Sequence, residues 1–189
     1  MKLNLGCSDD HKPGYVNVDV APPADQVADL RFRWPWPDSS VEEIFAHDVF
    51  EHLYQKSRYL ISPVEALTRS VTPPVGYVRE VAPKVWAMNE AHRVLKPGGL
   101  LDLWVPCMHL SDGRINPGAF ADPTHCSYWT MDDQYYFFEQ WNNPQGERGR
   151  LGPAYGVTAL FRPRKWELFE YGAGHERRSK IRALLEAVK

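Results

Sequence analysis

The chain has 189 residues, 43% hydrophobic and 24% charged, which suits one globular domain able to bury a sizeable core. A net charge of −2 and a pI near 6.4 exclude a globally basic, polyanion-binding surface. Cys7, Cys107 and Cys126 show no paired spacing, and there is neither an apolar leader nor a run of membrane-spanning length, so the expectation is a soluble, cytoplasmic protein with reduced thiols.

The first expected strand, residues 2–6, carries Leu3-Asn4-Leu5 into a small-residue turn, Gly6-Cys7-Ser8. The second, residues 15–19, ends on Asp19. An apolar strand, a glycine turn and a second strand tipped with an acid form the layout that holds a ribose. The glycine lets a ligand approach the backbone, and the carboxylate accepts from two vicinal hydroxyls. Only residues 7–14 join the two strands, whereas a parallel crossover normally takes about a dozen or more. Either the first helix is cut to a turn or the pairing is not parallel; Asp10, Pro13 and Gly14 favour a turn.

Val27-Ala28-Asp29-Leu30 reads as a short third strand, Trp34 to Ser40 as a loop stiffened by Pro35 and Pro37, and Val41 to Ala46 as a fourth strand. Residues 54–83 read as an insertion, with a helix starting at Ser62-Pro63-Val64-Glu65 and a loop around residues 72–76; a lid or an interface is expected there. Val85 to Leu95 has helical apolar spacing, Lys96-Pro97-Gly98-Gly99 stops it, and Leu100 to Pro106 is a buried strand. Thr130-Met131-Asp132-Asp133 is expected to cap a helix through about Gln140, followed by a loop over residues 142–153. Gly156–Arg162 and Trp166–Tyr171 read as a closing antiparallel pair, and the tail from His175 to Val188 as a helix. The fold class is therefore α/β: a Rossmann-like, mostly parallel sheet flanked by helices, with a C-terminal antiparallel hairpin, in one domain over residues 1–189.

Leu3-Asn4-Leu5-Gly6-Cys7-Ser8, Asp19, Ala28-Asp29-Leu30, Asp48-Val49-Phe50-Glu51-His52-Leu53 and Arg93-Val94-Leu95-Lys96-Pro97-Gly98-Gly99 occur in this order. Together they resemble class I S-adenosylmethionine-dependent methyltransferases, above all a short bacterial and phage type, over about residues 2–106 with the insertion excepted. The resemblance implies S-adenosylmethionine as cofactor. Backbone around Leu5, Gly6 and Cys7 would face its methionine and ribose, Asp19 its ribose hydroxyls, Asp29 and Leu30 its adenine, and His47 its methionine part. Ser8 departs from the family, which has a glycine there. The implied activity is methyl transfer, in which the protein mainly positions the reactants.

Beyond residue 106, the segment Phe120 to Thr130 follows a core strand, where open α/β sheets place substrate-facing loops. Its Asp122-Pro123-Thr124-His125 string also recurs in the resembling proteins. His125 reads either as the acceptor's general base or as one half of a staple with Asp122. Asp48 and Glu51 read as acids complementing a helix start, and His52 as packing under the cofactor strand. His109, Asp122 and His125 match no standard metal spacing, so no metal is expected. Tyr135 to Phe138 reads as a buried helix face.

The expected function is metal-independent methyl transfer to a small-molecule or sugar-like acceptor. With the first strand at Lys2, the acceptor's cover is expected from residues 54–83 and the His125 loop. No membrane partner is expected; residues 54–83 and the aromatic helix are candidate homo-oligomer contacts. One alternative is a non-catalytic module that binds the cofactor. Another is a nucleic-acid methyltransferase resting on the basic run His175 to Arg182; nucleic acid is the less favoured partner, because the Asp/Asn-Pro-Pro-aromatic tetrad of many base methyltransferases is missing.

Overall fold

Leu3, Leu5, Ile44, Ala46, Leu101, Leu103 and Val105 fall on alternate positions of their segments, and all are fully buried. This period of two makes them one face of a sheet. In the computed structural model, which describes residues 1–55, 81–139 and 155–189, they lie on β1 (Lys2–Leu5), β4 (Val41–His47) and β5 (Leu95–Pro106). The sheet also contains β2 (Val16–Asp19), β3 (Gln26–Val27), β6 (Phe161–Tyr171) and β7 (Arg178–Ala187), in the order β3-β2-β1-β4-β5-β7-β6. β1 to β5 are parallel to one another, and β7 is antiparallel to both β5 and β6.

The short first crossover is resolved in favour of a turn: β1 and β2 are parallel, and no helix joins them. A polar knot holds the connection instead. Asn4 Nδ2 donates to Asn17 Oδ1 (2.9 Å) and to the Asp10 carbonyl (2.8 Å), and Asn17 Nδ2 donates to Asp25 Oδ2 (2.7 Å). These buried amides are thereby satisfied, as burial requires of polar groups.

Helix α1 (Pro83–Val94) starts on its proline and turns Val85, Ala87, Met88, Ala91 and Val94 into the core. Its Glu90 and Arg93 clamp the Trp34–Asp38 loop. Arg93 donates to Glu90 Oε1 and Oε2 (2.8 and 2.7 Å), to the Trp34 and Trp36 carbonyls (both 3.0 Å) and to Asp38 (2.7 Å), while Trp34 N donates to Glu90 (2.8 Å). Arg93→Ala would leave Glu90 buried without its cation, and a loss of about 3–5 kcal/mol is expected in urea unfolding.

The opposite sheet face carries Phe45, His47, Asp102, Trp104 and Arg182, and these are only half-buried. Among the described residues, side chains rather than a helix lie over it: Lys12 Nζ sits 3.5 Å from the Phe45 ring centroid and the Arg182 guanidinium 5.0 Å from that of Trp104.

Several sequence expectations need correction. The tail is not a helix but β7, in which Ser179, Ile181, Ala183, Leu185 and Ala187 alternate into the core. Its Leu, Ala and Glu content favours a helix, but pairing on both edges overrides propensity. The hairpin is therefore β6 with β7, and residues 157–160 are not a strand. β5 begins at Leu95, which pairs with Val41; Lys96–Gly99 then bulges, with Gly98 at φ +76°, before Leu100 pairs with Glu43. The expected helix near residue 130 is a 3-10 turn, Met131–Asp133, leading into one turn of α2 (Gln134–Phe137). Thr130 and Asp133 form its capping box, and it ends where Phe138 bridges to Phe161. The third strand is only Gln26–Val27, so Ala28, Asp29 and Leu30 are free to turn inward. The expected helix from Pro63 and the loops at residues 72–76 and 142–153 lie outside the described residues. Among the described residues, no helix is long and apolar enough to cross a membrane.

Candidate functional site

Parallel strands of an open α/β sheet end at one edge, where loops of reversing direction leave a crevice. Here the ends of β1, β2 and β4 border a cavity of ≈ 360 Å³ lined by Gly6, Asp19, Val20, Ala28 to Arg31, Asp48, Val49, His52 and Leu53. The size falls in the range of small-molecule sites, about 300–1,000 Å³. Gly6 has φ +63°, and a Cβ there would lie 2.3 Å from Val49 Cγ2. Gly6→Ala should therefore cost about 1–3 kcal/mol in urea unfolding and push Val49 into the cavity, weakening any ligand bound there.

Asp19 accepts from Ser8 N (2.9 Å, Oδ2) and Val20 N (2.6 Å, Oδ1). An ionised carboxylate has about four lone-pair sites, so each oxygen keeps capacity for a hydroxyl in the cavity. Asp29 also lines the cavity, but its carboxylate is gripped by Arg31 through Nε (2.7 Å) and Nη2 (2.8 Å). Leu30 adds an apolar wall and is only 6% exposed.

The other expected cofactor residues stand apart. The side chains of Leu5 and Cys7 are buried in the core and form no part of the wall; burial pushes the Cys7 thiol up. His47 points from the half-covered face, against Phe45 and Trp104, with Nε2 3.6 Å from Asp102. It does not line the cavity. The alternation of β4 decides this, since His47 must face the same way as Phe45.

The segment after β4 does not begin an α-helix. Asp48 has φ +54° and pairs with Lys180 (2.5 Å), and Phe50–His52 is a single 3-10 turn. This turn swings Glu51 inward rather than leaving it as an acid at a helix start. The Glu51 side chain is 1% exposed, and among the described residues neither carboxylate oxygen has a hydrogen-bond partner. Desolvation pushes its pKa up to about 8, with the Asp48 charge adding to the shift.

The loop from Phe120 to Thr130 closes over Glu51. Cys126 N and Ser127 N donate to the Glu51 carbonyl (2.8 and 3.2 Å), and the Cys126 thiol donates to the Glu51 and Leu53 carbonyls (3.2 and 3.3 Å). His125 is bonded through Nδ1 to the Ala119 carbonyl (2.8 Å), and its Nε2 lies 4.0 Å from Glu51 Oε1. Of the staple between Asp122 and His125, the structure has the backbone bond, His125 N donating to the Asp122 carbonyl (3.3 Å), but no bond between the two side chains. The Asp122 carboxylate accepts from Thr124 N and Oγ1 (2.7 and 2.6 Å), and Thr124 Oγ1 meets His52 Nδ1 at 2.9 Å. The two imidazole rings stand 4.8 Å apart. On the same loop, exposed Phe120 and Tyr128 stack with centroids 4.8 Å apart.

Sequence reasoning quoted the Asp48–Leu53 run without assigning Val49, His52 and Leu53 to the wall. Nor does His109 join His125: among the described residues, the cluster that assembles is Glu51, His52 and His125. Within the basic run of the tail, Arg177, Lys180 and Arg182 are each paired to a carboxylate, while Arg178 donates to the His175 and Arg177 carbonyls.

No family model matches the chain, and no curated protein matches it. Solved structures do. A putative methyltransferase from Bacillus halodurans C-125 aligns with TM-score 0.57 at 12% identity, over 100% of this chain and 92% of that one. The 1,6-didemethyltoxoflavin-N1-methyltransferase of Burkholderia thailandensis, with bound 1,6-didemethyltoxoflavin and S-adenosylhomocysteine, aligns with TM-score 0.51 at 9% identity, over 100% and 71%. The [4+2]-cyclase SpnF aligns with TM-score 0.50 at 13% identity, over 100% and 74%. The strand order and these alignments define the class I S-adenosylmethionine-dependent methyltransferase fold. The cyclase marks how far the fold alone reaches: it hosts more than one chemistry.

Proposed function

We propose that the protein is a methyltransferase that uses S-adenosylmethionine and acts on a small-molecule or sugar-like acceptor. One observation carries this reading. At the cofactor edge of this fold, a cavity is walled by a glycine whose Cβ would collide and by a carboxylate with spare lone pairs. A nucleoside fits that donor set: Gly6 admits the ligand to the backbone, Asp19 takes the ribose diol, and Leu30 and Val49 sandwich the base. Asp29 shapes the adenine end through its grip on Arg31.

S-adenosylmethionine, when bound, supplies a methyl group already activated on a sulfonium. The chain's own task is then to seat the acceptor in line and to receive or release its proton. The acceptor is placed against the His52 wall, with Phe120 and Tyr128 offering stacked rings to a planar or sugar-like body. His125, one candidate for the base, does not line the cavity and has a side chain 7% exposed; its ring stands 4.8 Å from that of His52, which does line it, so His52 is the imidazole set against the acceptor. Residues 54–83 are proposed as cover within a single domain, since the segment leaves from the rim: Leu53 lines the cavity, and the Tyr54 ring centroid lies 5.6 Å from the Arg31 guanidinium.

Calorimetry with S-adenosylmethionine and S-adenosylhomocysteine tests the cofactor half of the proposal, and failure of both to bind would sink it. Transfer of labelled methyl to a panel of hydroxylated and heterocyclic acceptors tests the other half. Tight cofactor binding with no transfer to any acceptor would favour a binding module.

A further inference from the structure

Glu51, His52 and His125 bring one carboxylate and two imidazoles together, with a potential ligand atom of each within 4.8 Å of the others. A carboxylate 1% exposed, with no donor on either oxygen among the described residues, carries a large desolvation cost. Protonation removes the charge but leaves the acid without an acceptor among the described residues: His125 Nε2 is 4.0 Å from Oε1, beyond hydrogen-bond reach.

The imidazoles are held in defined tautomers. The Ala119 carbonyl can only accept, so His125 Nδ1 donates to it and leaves Nε2 unprotonated in the neutral ring, facing Glu51. The Asp122 carboxylate takes the single Thr124 hydroxyl proton, so Thr124 Oγ1 accepts from His52 Nδ1 and the other His52 nitrogen keeps its lone pair. A histidine whose far nitrogen donates to a carbonyl or to a carboxylate-backed hydroxyl has the outer support of a metal ligand.

We propose that Glu51, His52 and His125 bind a divalent transition cation of the zinc class. One potential ligand atom from each lies within 4.8 Å of the others. Bonds of about 2.0–2.2 Å to one ion need these atoms to draw in by about 1 Å, a side-chain adjustment. Two imidazoles and a carboxylate select zinc-like ions over magnesium or calcium, and three protein ligands leave a coordination position open. Cys126 does not fill it, since its thiol bonds the Glu51 and Leu53 carbonyls. His52 also belongs to the cavity wall, so the open position borders the space where an oxygen-bearing ligand would sit. The site stands whether or not the cavity takes S-adenosylmethionine.

The experiment is titration of tag-free, chelator-stripped, full-length protein with Co²⁺ and then Zn²⁺. The expected result is one Co²⁺ per chain with visible absorption bands, displaced by Zn²⁺, and affinity falling at least about 100-fold in Glu51→Gln and His125→Gln. His109→Gln, outside the cluster, should bind like wild type. Absence of stoichiometric uptake, or uptake unchanged in both cluster variants, overturns the proposal. Should those variants fail to fold, X-ray absorption on the Zn²⁺-loaded wild type decides: two imidazoles with oxygen support the site, and any other shell overturns it. Calorimetry with S-adenosylhomocysteine on the same stripped protein keeps the result separate from cofactor binding.

Discussion

Asp19→Ala is expected to weaken S-adenosylhomocysteine binding by about 100-fold or more. A hydrogen bond to a charged group contributes about 1.5–3 kcal/mol, and the ribose diol would lose two of them together. The carboxylate is already oriented by Ser8 N and Val20 N, so little ordering is needed when the diol arrives. The same two contacts make the variant slightly less stable, and a melting curve separates that effect from lost affinity. Asp29→Asn is the informative comparison. Its carboxylate is engaged by Arg31, so the expected loss is about tenfold or less. Equal losses in the two variants would mean that both acids hold the ligand, and a larger loss in Asp29→Asn would reverse the assignment of the ribose end. Isothermal calorimetry at matched ionic strength reads both.

The elements legible in the sequence are those whose burial pattern coincides with their own propensity. β1, β4 and α1 carry Leu, Ile, Val and Met at the period of the element they form, so they could be placed from local pattern alone. β7 could not, because its buried row is Ser179, Ile181, Ala183, Leu185 and Ala187, two of them alanines and one a serine. That row is weakly apolar, and Leu184 beside Leu185 blurs its alternation.

The site divides in the same way. Gly6 and Asp19 follow from a local layout of strand, turn and acid. Glu51 does not, since an acid three residues past a glycine-free turn reads as a surface charge. Its burial is imposed by Cys126 and Ser127, which bond its carbonyl from a loop far along the chain. His125 stands out as a chemical residue, but its side-chain partners do not: Asp122 meets it only through the backbone, the carbonyl that fixes its ring belongs to Ala119, and the Asp122 carboxylate supports His52 through Thr124. Tertiary contacts of this kind leave no mark at short spacing.

The second large effect expected is on pH-dependent stability in metal-free protein, and it isolates Glu51. The folded state raises this carboxyl from its ordinary 4.5 to about 8 because burial removes the water that would solvate its charge. Between those two values the folded chain holds a proton that the unfolded chain has released. Stability from this group is therefore complete below about pH 4.5 and is lost as pH rises toward 8, the opposite of a salt-bridged acid. The loss over the window is on the order of a few kcal/mol, at about 1.4 kcal/mol per unit. Glu51→Gln keeps the shape and has no charge to bury, so its urea midpoint should stay level where the wild type declines, and the two curves should diverge from about pH 4.5 until about pH 8 and run parallel above it. Curves parallel across that whole window would mean that Glu51 is solvated and ionised in solution, and the buried carboxylate would have to be abandoned along with the ion site built on it. Saturating Zn²⁺ should cancel the decline in the wild type alone, because a cation requires the carboxylate in its deprotonated form and binds more strongly as the proton leaves.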